Sequence, residues 1–343
     1  MTNPILVPQI VTDDKLEGLC RLLSQDVYQP SAIQILYFLL QPAVQHNIQE
    51  WNELGKAIRN SHRKDLQLWT FGALPDLNSQ TAPEDRSASR ESVWGVTILP
   101  TDEKFEEARA RFWISTEANA TLSNNLDQPK WQPDEQSLAV LDTMCRTVFQ
   151  PFLQRTGGKS IFFNGINQCW TKHLVALGNN TFDNPCSKAV RKFDLKAETR
   201  VDCPRGYRVR PLEEKDLETV INSNKIKFPA EYARSRLHLS VAVVNDETDE
   251  LASWAFAHAD FSVGALHTAP AYRKRGLAAV VVAELGNIIR EALSNNSLSS
   301  AVLKDAFYVH ADSEAYNVVA IRWFGSLGFR SCIDNTWTRV EIE

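Results

Sequence analysis

Arg273-Lys274-Arg275-Gly276-Leu277-Ala278 sets three cations, a glycine and a small residue between an apolar strand-like run, Val263–Thr268, and a helix-like run over 277–293. A chain that leaves a strand and enters a helix through such a turn gathers unbonded N–H groups at the helix N-terminus, where the dipole adds to their pull on an anion. Gly276 lets the backbone approach a ligand without a Cβ, Ala278 keeps the first turn narrow, and the cations add fixed charge. A pyrophosphate is the expected guest. A plain exposed helix cap could use the same residues, so context must decide. Groups able to take a proton lie close in sequence: His258, Asp260 and His267 before the turn, and His310 after it.

The elements around the turn come in one order. Tyr207–Arg210 alternates like a short strand, and 212–224 reads as a helix with an acidic first turn. Apolar runs over 239–244 and 251–258 flank a polar hairpin connection, and a second turn, 259–262, leads into Val263–Thr268. Beyond the basic turn, Leu277, Val281, Leu285, Ile288 and Ala292 form one helical stripe. A strand over 306–311, a helix over 317–329 and a strand over 337–342 follow.

Over 207–343 this sequence resembles the GNAT superfamily of acyl-CoA-dependent N-acyltransferases. Arg273, Gly276 and Ala278 match its Q/R-x-x-G-x-G/A pyrophosphate loop, and Asn317, Ala320, Leu327, Gly328 and Phe329 match its N-x-x-A…L-G-F helix. The stretch 254–277, and Trp337 near the last strand, look most like the glycine N-acyltransferase branch. The resemblance implies an α/β fold that transfers an acetyl or other acyl group from acyl-CoA to a small amine or amino acid, without a metal. It implies CoA contacts at Leu266, His267, Thr268, Arg273, Lys274, Arg275, Gly276, Leu277, Ala278, Asn317 and Phe324. A non-catalytic acyl-CoA-binding or interaction protein on the same fold is the alternative.

Two positions depart from the pattern. Where that branch carries a glutamate base at the start of the fourth strand, this chain has Ser262, which cannot accept an amine proton at neutral pH. His310, His267 and Asp260 are the candidate substitutes, with His258 behind them; an imidazole of ordinary pKa, about 6.5, suits the task. Where many superfamily members carry a tyrosine to protonate the leaving thiolate, this chain has Phe324. Thiolates with pKa of about 8.5 leave readily without help.

The 343 residues suffice for two domains, and 43% hydrophobic content with nine Trp supports filled cores. A net charge of −5 argues against a nucleic-acid partner. No apolar run reaches spanning length and no signal-peptide pattern opens the sequence, so the expectation is a soluble cytoplasmic protein without a membrane partner. Six scattered cysteines suggest neither zinc nor disulfides. Residues 1–200 read as a degenerate copy of the same fold or as another α/β domain. The reading gives helices at 13–23 and 30–45, strands at 66–74, 92–99 and 110–116, a helix at 137–155, a strand at 160–164, a helix at 167–177 and a strand at 189–195. Residues 117–136 lack the phosphate loop and carry Pro129 and Pro133. A polar linker over 196–205 would separate this half from an acyl-CoA domain at 206–343, which would bind one CoA by itself.

Overall fold

The computed structural model describes residues 8–60, 67–72, 74–75, 93–99, 107–122, 131–225 and 227–341. The first half runs β1 (Gln9–Ile10), α1 (Asp13–Leu23), α2 (Gln29–Gln45), α3 (Trp51–Asn60), β2 (Gln67–Phe71), β3 (Gly95–Leu99) and β4 (Glu107–Ile114). It continues through α4 (Glu117–Leu122), α5 (Glu135–Met144), a π-helical turn at Cys145–Phe149, α6 (Gln150–Thr156), β5 (Ser160–Asn167), a 3-10 segment at Gln168–Ala176 and β6 (Asn179–Asp194). The second half runs β7 (Tyr207–Arg210), α7 (Leu217–Ser223), α8 (Ala230–Ser235), β8 (Ser240–Asn245), β9 (Leu251–Ala257) and β10 (Val263–Thr268). After the basic turn come α9 (Leu277–Ser294), α10 (Ser297–Leu303), β11 (Ala306–Glu314), α11 (Val318–Ser326) and β12 (Arg330–Glu341).

The two halves repeat one plan. In each, four strands pair antiparallel in sequence order. The fifth then joins the fourth in parallel, through β4·β5 in the first half and through the single Ser262–His310 bridge beside β10 and β11 in the second. In both, the fourth and fifth strands part after a short contact.

The last strands are exchanged. The large sheet has the order β1-β2-β3-β4-β5-β12-β6-β11, so β12 from the second half sits between β5 and β6 of the first. β6 pairs on its other side with β11, in unbroken register from Ala306–Asp194 to Glu314–Cys186. The boundary expected at 200–206 is therefore crossed by two strands, and neither half closes its own sheet. The expected strand at 189–195 is the buried end of a 16-residue strand whose first five residues are exposed; their polar sequence reads as a loop because only the pairing with β12 orders them.

Three departures have local causes. The helix expected at 137–155 is interrupted by the π turn at Cys145–Phe149 just before Pro151, which has no N–H to continue the ladder. The helix expected over 167–177 is 3-10. Four short helices, α3, α4, α8 and α10, lie in stretches the sequence reading left unassigned.

Helix α2 binds the halves together. It is apolar on nearly every face, with Ile33, Leu36, Tyr37, Leu39 and Leu40 buried, as expected of a helix covered all round. The Tyr37 hydroxyl donates to the Tyr308 carbonyl at 2.7 Å and accepts from its N–H at 2.9 Å. Gln34 donates to Asp312 Oδ2 at 3.0 Å, while Lys188 of β6, fully buried, reaches Asp312 Oδ1 at 2.8 Å. Two groups of the first half thus hold one carboxylate of the second. Asn287 of α9 clamps the linker by donating to the Thr199 carbonyl and accepting from its N–H, at 3.0 and 2.9 Å.

Candidate active site

The basic turn has the geometry of an anion cradle. Lys274 (φ 62°) and Gly276 (φ 80°) both take left-handed backbone, and the turn leads directly into α9. Among the described residues, the N–H groups of Lys274, Arg275, Gly276, Leu277 and Ala278 meet no acceptor. A Cβ on Gly276 would project into open space. The turn itself is braced: Arg273 Nε donates to the Thr268 carbonyl at 3.1 Å, Arg275 to Tyr207 Oη at 2.6 Å, and Tyr272 Oη to Glu250 at 2.6 Å. Lys274 is exposed and free to meet a phosphate. Gly276→Asp adds a carboxylate to that space and strains the backbone, and CoA affinity is expected to fall at least tenfold, about 1.4 kcal/mol; isothermal titration of the folded variant measures it.

From the turn a path leads back along β10. Its ladder with β9 shifts between Gly264 and His267, and Ala265 sits at φ 53°, so one residue bulges out of the hydrogen-bond pattern. Leu266 is partly buried there. His267 lies flat on Trp254, centroids 4.8 Å apart, and burial with Arg273 nearby pushes its pKa down. Thr268 Oγ1 pairs with Ser253 Oγ at 2.9 Å.

Asp260 sits at the head of β10, where it accepts from Ser262 Oγ at 2.7 Å and faces Arg111 of β4 at 3.7 Å. Burial opposes its ionisation, yet His310, Arg111 and His258 around it and the Ser262 hydroxyl hold its pKa below the usual carboxylate range. His310 is fully buried, its Nε2 2.8 Å from the Asp260 carbonyl and its Nδ1 without a partner. It ties β11 to the 259–262 turn from inside the core. His258 differs: the residue is only partly buried although its imidazole is strongly desolvated, Nδ1 lies 2.8 Å from Tyr232 Oη, and a Cβ on Gly264 would come within 2.4 Å of Nε2. The bare backbone of Gly264 is what admits the imidazole to the strand. Burial, countered by Asp260 and Asp312, lowers the His258 pKa, so the ring is neutral at pH 7.

Sequence reasoning missed Tyr232, Arg236 and Arg111, which complete this cluster. Arg111 gave one signal, a charge set directly before the apolar Phe112-Trp113-Ile114 end of its strand. The remaining expected positions lie on α11. Asn317 caps the helix, accepting from the Ala320 N–H at 3.2 Å, and is exposed. Phe324 is buried, its ring against Phe329 and Trp323. Tyr316 is 63% exposed and bonded to Lys225. Among the described residues no group of three or more His, Cys, Asp or Glu is placed to hold a metal ion, and no helix is long and apolar enough to cross a membrane. A pocket of 380 Å³ between the linker and α9, lined by Thr199, Asp202, Asn287 and Glu291, lies away from β10 and from these groups.

The first half has no equivalent turn in its described residues; 123–130, which include Pro129, fall outside them. At its strand parting stands Glu117, buried, accepting from the Ile114 N–H and from Trp170 Nε1, each at 3.0 Å. Burial raises its pKa to about 8, against these hydrogen bonds and the Lys188 charge. The folded state therefore holds a proton that the unfolded chain releases, and this contribution to stability is lost as pH rises from the unfolded carboxyl value through about 8. Glu117→Gln is expected to lack that loss, so its Tm should gain on the wild type between pH 5 and 8.5; parallel scanning calorimetry measures the difference.

Comparison with known proteins bears on the fold. Residues 240–338 match the family model described as FR47-like protein. A Drosophila protein of solved structure superposes with a TM-score of 0.59 at 14% identity, covering 98% of both chains. A GCN5-related N-acetyltransferase from Sphaerobacter thermophilus superposes at 0.53 with 11% identity, covering all of this chain and 98% of the other. No curated protein matches. The chain thus carries the GCN5-related N-acetyltransferase (GNAT) fold in a two-domain arrangement, with the FR47-like sequence in the second copy.

Proposed function

We propose that the second half binds acyl-CoA along β10 and the 273–278 turn and transfers the acyl group to the nitrogen of a small amine or amino acid. The observation that carries this is the row of N–H groups from Lys274 to Ala278, all without acceptors, around a glycine that opens onto free space. Such a row, beside three cations, suits an anion of phosphate type. The bulged strand beside it can pair with the extended arm of the thioester and leave an N–H for the carbonyl oxygen. The likeness of 254–277 to the glycine N-acyltransferase branch supports the acceptor class.

The amine nitrogen attacks the thioester carbonyl carbon, an N–C bond forms as the C–S bond breaks, and the ammonium proton must leave. His258 is the group suited to take it. With Nδ1–H donating to Tyr232 Oη, Nε2 keeps its lone pair and lies beside β10 at the bulge. His310 and His267 are less suited: one is sealed in the core, the other stacked on Trp254. Asp260, paired and strongly ionised, orders the cluster. The CoA thiolate leaves without a dedicated acid, Phe324 offering none.

The same fold could bind acyl-CoA without turnover, an alternative favoured by Ser262 spending its hydroxyl on Asp260. A colorimetric assay of thiol release across acyl-CoAs and amines separates the two: amine-dependent release supports the transferase, and binding without release supports the other.

A further inference from the structure

The cluster beyond the head of β10 carries more positive charge than it balances. Arg236, at the end of α8, is 5% exposed; its Nε reaches Ser235 Oγ at 3.2 Å and its guanidinium lies 5.7 Å from the centre of the Tyr232 ring. Its Nη1 is buried with no partner. Arg111, arriving from the first half, rests 5.0 Å from the centre of the Phe38 ring and only 3.7 Å from Asp260; its Nε is likewise buried and unpartnered. Both guanidiniums act on His258, and both act on the one carboxylate between them, Asp260. Asp260 already serves Ser262 and the 259–262 turn. Buried Arg236 and partly buried Arg111 share a single carboxylate, and each keeps an idle donor.

An unpaired donor on a buried cation costs free energy, which a ligand that completes it would recover. Guanidinium forks match carboxylates best, through two parallel N–H···O bonds. We infer that Arg236 and Arg111 form a carboxylate-binding subsite beside His258, so that one of the two substrates carries a carboxylate and the first half contributes a residue to the active site of the second. This rests on the transferase reading of the same cleft. The carboxylate could belong to the amine acceptor or to the far end of the acyl chain; the chemistry recognised is the same.

Titration calorimetry on the full chain distinguishes these sources. CoA alone is titrated first, which tests the phosphate turn independently. The CoA-saturated protein is then titrated with N-acetylglycine and with N-methylacetamide, which lacks the carboxylate; in the other arm the free protein is titrated with succinyl-CoA and with acetyl-CoA. All four probes are also run on Arg236→Gln, on Arg111→Gln and on the charge-preserving Arg236→Lys. In one arm the carboxylate-bearing probe should bind at least tenfold tighter. Both Gln variants should erase that preference with CoA affinity intact, and Arg236→Lys should keep part of it. Arg236→Met should unfold at the same temperature or higher than the wild type, since it removes an unsatisfied buried cation. A protein that binds both members of each pair equally overturns the subsite, and so does a preference that survives in both Gln variants. Loss of CoA binding alone would instead count against the phosphate turn, and the carboxylate comparison would then be read from the free protein with N-acetylglycine and N-methylacetamide.

Discussion

Replacing His258 with glutamine is expected to lower kcat/KM roughly a hundredfold or more, the usual contribution of a general base, with CoA affinity close to normal. Glutamine keeps a polar group near Tyr232 but cannot take a proton. The pH dependence carries a second signature. Because burial holds the His258 pKa below its ordinary value, the active neutral form is already present at pH 7. The acid limb of kcat/KM should therefore fall below about pH 6.5 in the wild type and be lost in the variant. Tyr232→Phe should shift this limb and lower kcat/KM less than His258→Gln, since the hydroxyl only orients the ring. Full activity in His258→Gln would move the search to water or to Asp260.

The other large effect concerns separability. A fragment spanning residues 202–343 keeps the phosphate turn and His258 but loses β6, and with it the partner of β11 along nine residue pairs. It also loses β5, so β12 is left with no neighbour. The Tyr37 hydroxyl, the Gln34 amide and Lys188 disappear as well, leaving Asp312 without either of its partners. The expected result is a fragment without a cooperative unfolding transition that aggregates through its open edges. Co-expression with residues 1–200 should restore a soluble, CoA-binding complex. A monomeric 202–343 fragment with well-dispersed amide NMR signals and measurable CoA affinity would refute this.

What could be read from the sequence was what is written locally. The turn at 273–278 and the Leu327-Gly328-Phe329 end of α11 depend on residues within a few positions, so their chemistry stands on the page. The repeat of the fold was visible in element order. The exchange of β6 and β12 was not, because strand pairing across more than a hundred residues leaves no mark in local pattern, and the polar start of β6 looks like a loop until β12 lies against it. The order expected among the candidate proton acceptors, His310 and His267 ahead of His258, rested on strand position alone, which says nothing of packing. His310 and His267 sit in strands that look equally exposed in sequence, and only the packing seals one and stacks the other. His258 gains its place from Gly264 and from Tyr232 on a helix of six residues, too short to show periodicity.

The crossing of β12 into the first half also sets an order of manufacture. On the ribosome β5 and β6 emerge long before β12, and during that interval each presents a bare edge where the final strand will lie. Domain-by-domain folding, the usual safeguard of a long nascent chain, is denied to this one. The gap between β5 and β6 cannot be closed until β12 arrives. A premature stop at residue 330 would leave every candidate site residue discussed above in the product, yet remove the strand that lies between β5 and β6. Such a product would be recognised by quality control as unfolded, so a nonsense change there should act as a null.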